Sequence, residues 1–195
     1  MAAMIYIHGF NSSSKSTKAS ILSRSLDHFN LSSSQYYAPD LGYDPEQAIH
    51  LLCDLINQLK SDNTDVYLVG SSLGGFYATY LAEEFGLKAV LINPAVKPYE
   101  LLVDYIGENQ NIYTGEVYTI TQQHMDQLKR LDVNTIRDPS KFLLLAQTND
   151  ETLDYHQAAD KFYQSPSVIE FGGSHGFDHF ESKLPVMSNF LLGAA

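Results

Sequence analysis

The sequence predicts an α/β fold: a doubly wound, mostly parallel sheet of about six strands with helices on both faces. Three observations carry this. Short apolar runs rich in β-branched residues alternate, six times, with segments whose apolar residues recur at helical spacing. Those short runs are apolar throughout rather than alternating, as in strands buried on both faces. The stretches between them are long enough to hold crossover helices.

Taken in order, MIYIHG (4–9) reads as a buried strand ending in glycine, and residues 15–29 as a helix with Leu22, Leu26 and Phe29 on one face. QYYAPDL (35–41) is a short strand stopped by Pro39. Residues 45–60 carry Ile49, Leu52, Ile56 and Leu59 at helical spacing, with Pro45 suited to the first turn. Strand 65–70 leads into helix 73–85. KAVLINP (88–94) and FLLLAQ (142–147) are strands, and a helix follows the second at 152–163. SVIEF (167–171) is the last strand and 178–192 the last helix.

One segment breaks the alternation. Residues of about 95–140 form a cap-like insertion with no clear sheet strand. Tyr99, Leu102, Val103, Tyr105 and Ile106 mark one helix in it, and residues 121–131 another. Long insertions in compact α/β domains are usually functional, and this one begins at the carboxyl end of a strand, where such sheets bind ligands. It is expected to be a small helical cap, with Tyr99 and Tyr105 lining the substrate side.

The bulk numbers fit a single domain over 1–195. Apolar residues make up 44% and charged residues 18%, an ordinary globular composition. With 23 acidic against 12 basic side chains the net charge is −11, which disfavours nucleic acid and anionic membranes as partners. No apolar run is long enough for a transmembrane helix, and the first residues lack the basic and apolar regions of a signal peptide. Cys53 is the single cysteine, so no intrachain disulfide can form, and a cytoplasmic location is expected.

The chemistry concentrates in VYLVGSSLGGFYATYLAEE (66–84). Gly70-Ser71-Ser72-Leu73-Gly74 fits G-x-S-x-G with Ser72 at its centre. In that motif the serine sits on a strained strand-to-helix turn, and side chains two residues before and after it would clash. Ser71 is flanked at those positions by Val69 and Leu73, so the spacing selects Ser72. No lysine follows as a phosphate-binding P-loop requires.

A serine hydroxyl needs a base. Of seven histidines, His175 and His179 follow the last strand, where a base arrives in the order serine, acid, histidine. His175, in the loop itself, is preferred to His179. A zinc reading of this pair fails H-E-x-x-H, because Gly176 stands where the glutamate would be, and no metal or organic cofactor is expected. For the acid, Asp150 lies just past the strand 142–147, with Asp154 the second choice as a first-turn helix residue. The oxyanion donors expected are the backbone N–H of Leu73 and of Phe10, in the loop after the first strand.

HGFNSS (8–13), GSSLGGFYATYLA (70–82), INPAVKPYELL (92–102), YTGEVY (113–118), QTNDETLDYHQA (147–158) and GGSHGF (172–177) together resemble the YqiA-like esterases, small bacterial proteins of the α/β-hydrolase fold. The resemblance runs over nearly the whole chain. It implies a serine esterase acting on acyl esters or on thioesters such as acyl-CoA, with Ser72 as nucleophile, Asp150 as acid and His175 as base. Two other readings use the same fold: an acyltransferase on the same serine, and a binding protein without catalysis.

Overall fold

The computed structural model describes residues 1–193. Among the described residues eight strands are present: β1 (Ala2–Ile7), β2 (Tyr36–Tyr37), β3 (Asp65–Ser71), β4 (Lys88–Ile92), β5 (Gly107–Gln110), β6 (Val117–Ile120), β7 (Phe142–Gln147) and β8 (Ser167–Glu170). The helices are α1 (Thr17–Arg24), α2 (Pro45–Ser61), α3 (Leu73–Phe85), α4 (Pro98–Leu101), α5 (Gln122–Arg130), α6 (Tyr155–Lys161) and α7 (Leu184–Leu192). Six strands form one sheet in the order β2-β1-β3-β4-β7-β8, every pair parallel. This is the mostly parallel six-stranded sheet that the alternation of apolar runs predicts.

The pleat divides the core into two layers. Ile5, Ile7, Leu68, Leu91 and Leu144 face α2, α3, α5 and α6. Met4, Tyr6, Val69, Val90, Ile92 and Leu145 face α1 and α7. Burying each such aliphatic side chain contributes about 1.5–3 kcal/mol, which is why these strands are apolar on both faces. Helix ends follow local chemistry. The Asp44 carboxylate accepts from the N–H groups of Glu46 and Gln47 ahead of Pro45, and Gly86 closes α3 in a left-handed conformation.

The chain reverses direction across the sheet once. It passes from β1 outward to β2, then crosses β1 to reach β3. The switch point therefore lies between the carboxyl ends of β1 and β3, where Ile7 pairs with Gly70. Loops diverge there and leave a crevice.

Several elements differ from expectation. The strand over 35–41 shrinks to Tyr36–Tyr37, an edge pair on β1 that Pro39 cannot extend. The helix over 15–29 ends at Arg24 and continues as a 3-10 turn, although Leu22, Leu26 and Phe29 are buried as read. The last helix likewise begins as a 3-10 turn at Phe180–Lys183, with α7 starting beside Pro185. The largest difference is in the insertion. Its first helix is one turn, α4, plus a 3-10 turn at Leu102–Tyr105, and Val103, Tyr105 and Ile106 have no core face to bury. An antiparallel hairpin, β5–β6, then precedes α5. The cap is thus mixed rather than all helical.

Candidate active site

β3 delivers Ser72 at the switch point in a sharp turn. Its backbone sits at φ 56°, ψ −122°, a conformation that costs a non-glycine residue roughly 1–3 kcal/mol. The surroundings hold it there. Ser72 N–H donates to Ile92 O at 3.1 Å, and its carbonyl accepts from Gly75 and Ala95 N–H at 2.9 and 3.1 Å. The motif glycines have a definite job. A Cβ on Gly70 would lie 2.3 Å from Gly74 O, and one on Gly74 would lie 1.9 Å from Ile7 O. They let α3 start pressed against β1, beyond merely freeing the turn.

Three chain segments meet at Ser72. The Ser72 Oγ lies 3.1 Å from His175 Nε2, and His175 Nδ1 lies 2.8 Å from Asp150 Oδ2 and 3.0 Å from its Oδ1. A carboxylate only accepts, so Nδ1 carries the proton, and Nε2 is left to accept from the serine hydroxyl. The Asp150 side chain is 2% exposed, and its Oδ1 also accepts from Thr152 and Leu153 N–H at 2.9 and 2.8 Å. Three donors to one carboxyl group fix its plane.

The alternatives lie elsewhere. Asp154 caps α6 and pairs with His156 Nδ1 at 2.7 Å. His179 is exposed, in a left-handed conformation at the start of the 3-10 turn. Ser71 is buried as the last residue of β3. Gly9 carries Phe10 up to the serine: a Cβ on Gly9 would stand 3.1 Å from Ser72 Cβ. Phe10 and the first residue of α3, Leu73, thus flank Ser72, and an N–H in a helix's first turn has no intrahelical partner.

A cavity of about 520 Å³ opens over these groups. Its walls are mostly apolar: Phe10, Leu73, Ala95, Pro98, Leu101, Leu102, Tyr105 and Leu153, with Asp104 and Glu151 also lining it. Tyr105 is where the sequence reading puts it. Tyr99 is not; its hydroxyl donates to Asp132 Oδ2 at 2.7 Å, and its ring packs on the main core layer. The residues lining the cavity do not include Tyr99, so that expectation is corrected.

Two buried amides escaped the sequence reading. Asn93, just after β4, donates through Nδ2 to the carbonyls of Ser174 and His175 at 3.0 and 3.2 Å, and its Oδ1 accepts from Gln147 N–H. The Gln147 side chain accepts from Ser174 and Asp178 N–H and donates to Asp178 O. Together they tie the His175 loop to β4 and β7. The available signal was an asparagine between a strand and Pro94, where a positive φ (39°) suits asparagine better than most residues. Also unread was the turn of the hairpin, where Asn111 Nδ2 donates to Ser12 O at 3.1 Å; nearby, the Tyr118 hydroxyl donates to Asn11 Oδ1. Both anchor the insertion to the loop that carries Phe10.

Among the described residues no group of three or more His, Cys, Asp or Glu side chains is placed to hold a metal ion. No helix of the described residues is long and apolar enough to cross a membrane.

Sheet order, nucleophile-type turn and crevice define the α/β-hydrolase fold, and solved structures agree. A putative hydrolase from Agrobacterium vitis S4 superposes with a TM-score of 0.73 at 18% identity, covering 97% of this chain and 88% of the other. Est1E from Butyrivibrio proteoclasticus gives 0.72 at 18% identity, covering 98% and 87%. The chain belongs to the uncharacterised protein family UPF0227, whose model matches residues 3–192. A UPF0227 protein of Shewanella woodyi is 24% identical over 192 residues, covering 97% of this chain and 99% of the relative.

Proposed function

We propose that this protein is a serine hydrolase of small-molecule acyl esters, working through an acyl-enzyme on Ser72. The reading includes the YqiA-like esterase resemblance carried by the motifs at 8–13, 70–82, 92–102, 113–118, 147–158 and 172–177. One observation supports it above the others: hydroxyl, imidazole and carboxylate stand in an unbroken hydrogen-bonded line, Ser72 to His175 to Asp150, at the floor of a largely apolar cavity.

In this mechanism Ser72 Oγ attacks the ester carbonyl carbon while His175 Nε2 takes its proton. Asp150 keeps the imidazole in the Nδ1–H tautomer and stabilises the imidazolium. The N–H groups of Phe10 and Leu73 hold the tetrahedral oxyanion. Losing one such donor typically costs about 10²–10³ in turnover. The C–O bond to the alcohol then breaks, and His175 returns the proton to the departing oxygen. Water, deprotonated by the same imidazole, attacks the acyl-enzyme and releases the acid. Apolar side chains such as Leu101, Leu102 and Leu153 would receive the acyl chain.

The test is covalent labelling together with turnover. A fluorophosphonate should label wild type and not Ser72→Ala, and short-chain 4-nitrophenyl esters should be hydrolysed by wild type alone. A wild-type protein that neither takes the label nor turns over esters of any chain length overturns the proposal.

A further inference from the structure

Beside the apolar cavity lies a second lobe of about 430 Å³ that shares Phe10, Asn11, Ser72 and His175 with the first. Its walls are different in kind. Tyr6, Ser12, Ser16, Thr17 and Tyr113 supply hydroxyl-bearing side chains, and Lys18 supplies an ammonium.

Lys18 is the only Lys or Arg among the residues lining either lobe, in a chain of net charge −11. Its Nζ donates to Gly176 O at 2.8 Å, next to the residue that bears the base. That uses one of three donors, and Lys18 enters no ion pair among the described residues. Burial pulls its pKa down, the Asp150 charge opposing. A partly desolvated cation without a close counter-ion is costly unless something anionic joins it. The one carboxylate lining this lobe, Asp178, accepts from the Ser174 hydroxyl at 2.7 Å. The first lobe has the opposite bias, with Asp104 and Glu151 in its walls and no cation.

We infer that the second lobe is a leaving-group subsite in which Lys18 receives an oxyanion, a carboxylate or a phosphate, carried by the alcohol half of the substrate. The inference rests on the esterase reading of Ser72 and deepens it. An apolar acyl chain lies among Leu101, Leu102 and Leu153, the ester carbon sits at Ser72, and the polar alcohol half extends toward Lys18 and the hydroxyls around it. Discrimination comes from charge: the rest of the surface repels anions, so a single local cation decides which anionic esters bind productively.

Four butyryl or succinyl esters test this: 4-nitrophenyl butyrate, 4-butyryloxybenzoate, 4-butyryloxyphenyl phosphate and 4-nitrophenyl hemisuccinate. The readout is the kcat/KM of each charged ester divided by that of the neutral one, so any general effect of losing the Gly176 contact cancels. In Lys18→Met this ratio should fall about tenfold or more for the benzoate and the phosphate, as loss of a charge-assisted hydrogen bond predicts, and Lys18→Arg should keep most of it. A larger loss on the phosphate than on the benzoate identifies phosphate as the preferred oxyanion, and the reverse identifies carboxylate. In wild type, 4-hydroxybenzoate or phenyl phosphate should inhibit hydrolysis of the neutral ester competitively and at least about tenfold better than phenol. Unchanged ratios in Lys18→Met, a loss confined to the hemisuccinate, or inhibition no better than by phenol overturns the subsite while leaving the esterase reading intact. Absence of both fluorophosphonate labelling and turnover overturns the two together.

Discussion

The carboxyl-end rim of the sheet and the insertion above it reach the same cavity by different physical means. At the rim, Ser72, Asn93 and Asp150 follow strands paired on both sides, and each is over-determined: Ser72 by its backbone bonds to Ile92 and Ala95, Asp150 by three donors, the His175 loop by Asn93 and Gln147. The insertion is pinned by side-chain bonds such as Tyr118 to Asn11, Asn111 to Ser12, Gln127 to Glu46 and Lys161 to Asp132, and leaves Ile112 80% and Val117 58% exposed. In the proposed mechanism the rim groups exchange protons, which requires them to be fixed to a fraction of an ångström. Walls that receive an apolar chain need only surface. The rim should therefore control kcat and folding, and the insertion KM and chain-length preference.

The strongest way to break this contrast is at Gly74. A methyl there meets the Ile7 carbonyl at 1.9 Å, so α3 must leave β1. Gly74→Ala should lose about 3 kcal/mol or more, seen as insolubility or a collapsed urea midpoint. Gly115→Ala, in the hairpin turn with open space around it, should cost about 1–2 kcal/mol, from its positive φ alone. Equal losses would mean the rim is no more constrained than the cap.

Next is Asn93→Ala, which frees the Ser174 and His175 carbonyls and the Gln147 N–H. We expect kcat to drop about a hundredfold with KM little changed, since a misplaced base loses rate before it loses binding. A fall carried by KM would make Asn93 part of the binding wall. Tyr105→Ala should do the converse, raising KM about three- to tenfold for longer acyl esters, as the loss of one apolar wall implies. Tyr99→Phe sharpens the point. It removes the bond to Asp132, should lower stability by about 1 kcal/mol in urea, and should leave the chain-length profile as in wild type.

The smallest effect belongs to His8, which orients the loop carrying Phe10. Its Nε2 accepts from Leu41 N–H at 3.1 Å, so Nδ1 bears the proton facing Gly9 O at 2.9 Å. Burial lowers its pKa below the ordinary 6.5, against the Gly9 carbonyl and Asp40, which raise it. Below pH 6.5 the unfolded chain binds a proton that the folded one resists, so stability declines as pH falls from 6.5 toward the depressed value and is fully present above it. His8→Gln should flatten that part of a urea-midpoint-versus-pH curve. A slope unchanged by the substitution would assign the dependence to other groups.

How much was legible in advance follows the same division. The stretch 65–85 reads correctly almost to the residue, β3 and α3 included, because apolar runs, a glycine-fenced serine and helical spacing are all local signals. Asp150 and His175 could be nominated from chain order alone, as the residues just beyond two strand ends. The hairpin β5–β6 was missed although Val117, Tyr118, Thr119 and Ile120 alternate as a half-buried strand does. The run is only four residues long, and its partner Gly107–Gln110 is polar. Tyr99 and Tyr105 look alike in sequence, and only packing put the first on the core layer and the second on the cavity.

By itself the sequence determined the sheet, the strained turn at Ser72 and the order in which serine, carboxylate and imidazole arrive, since each rests on neighbours a few residues away. The tertiary structure alone decided the meeting of Asn93 with His175 across 82 positions and of Lys18 with Gly176 across 158. Such contacts have no period or spacing to announce them; they arise only when distant strand ends are packed side by side, and the burial that makes them matter exists only then.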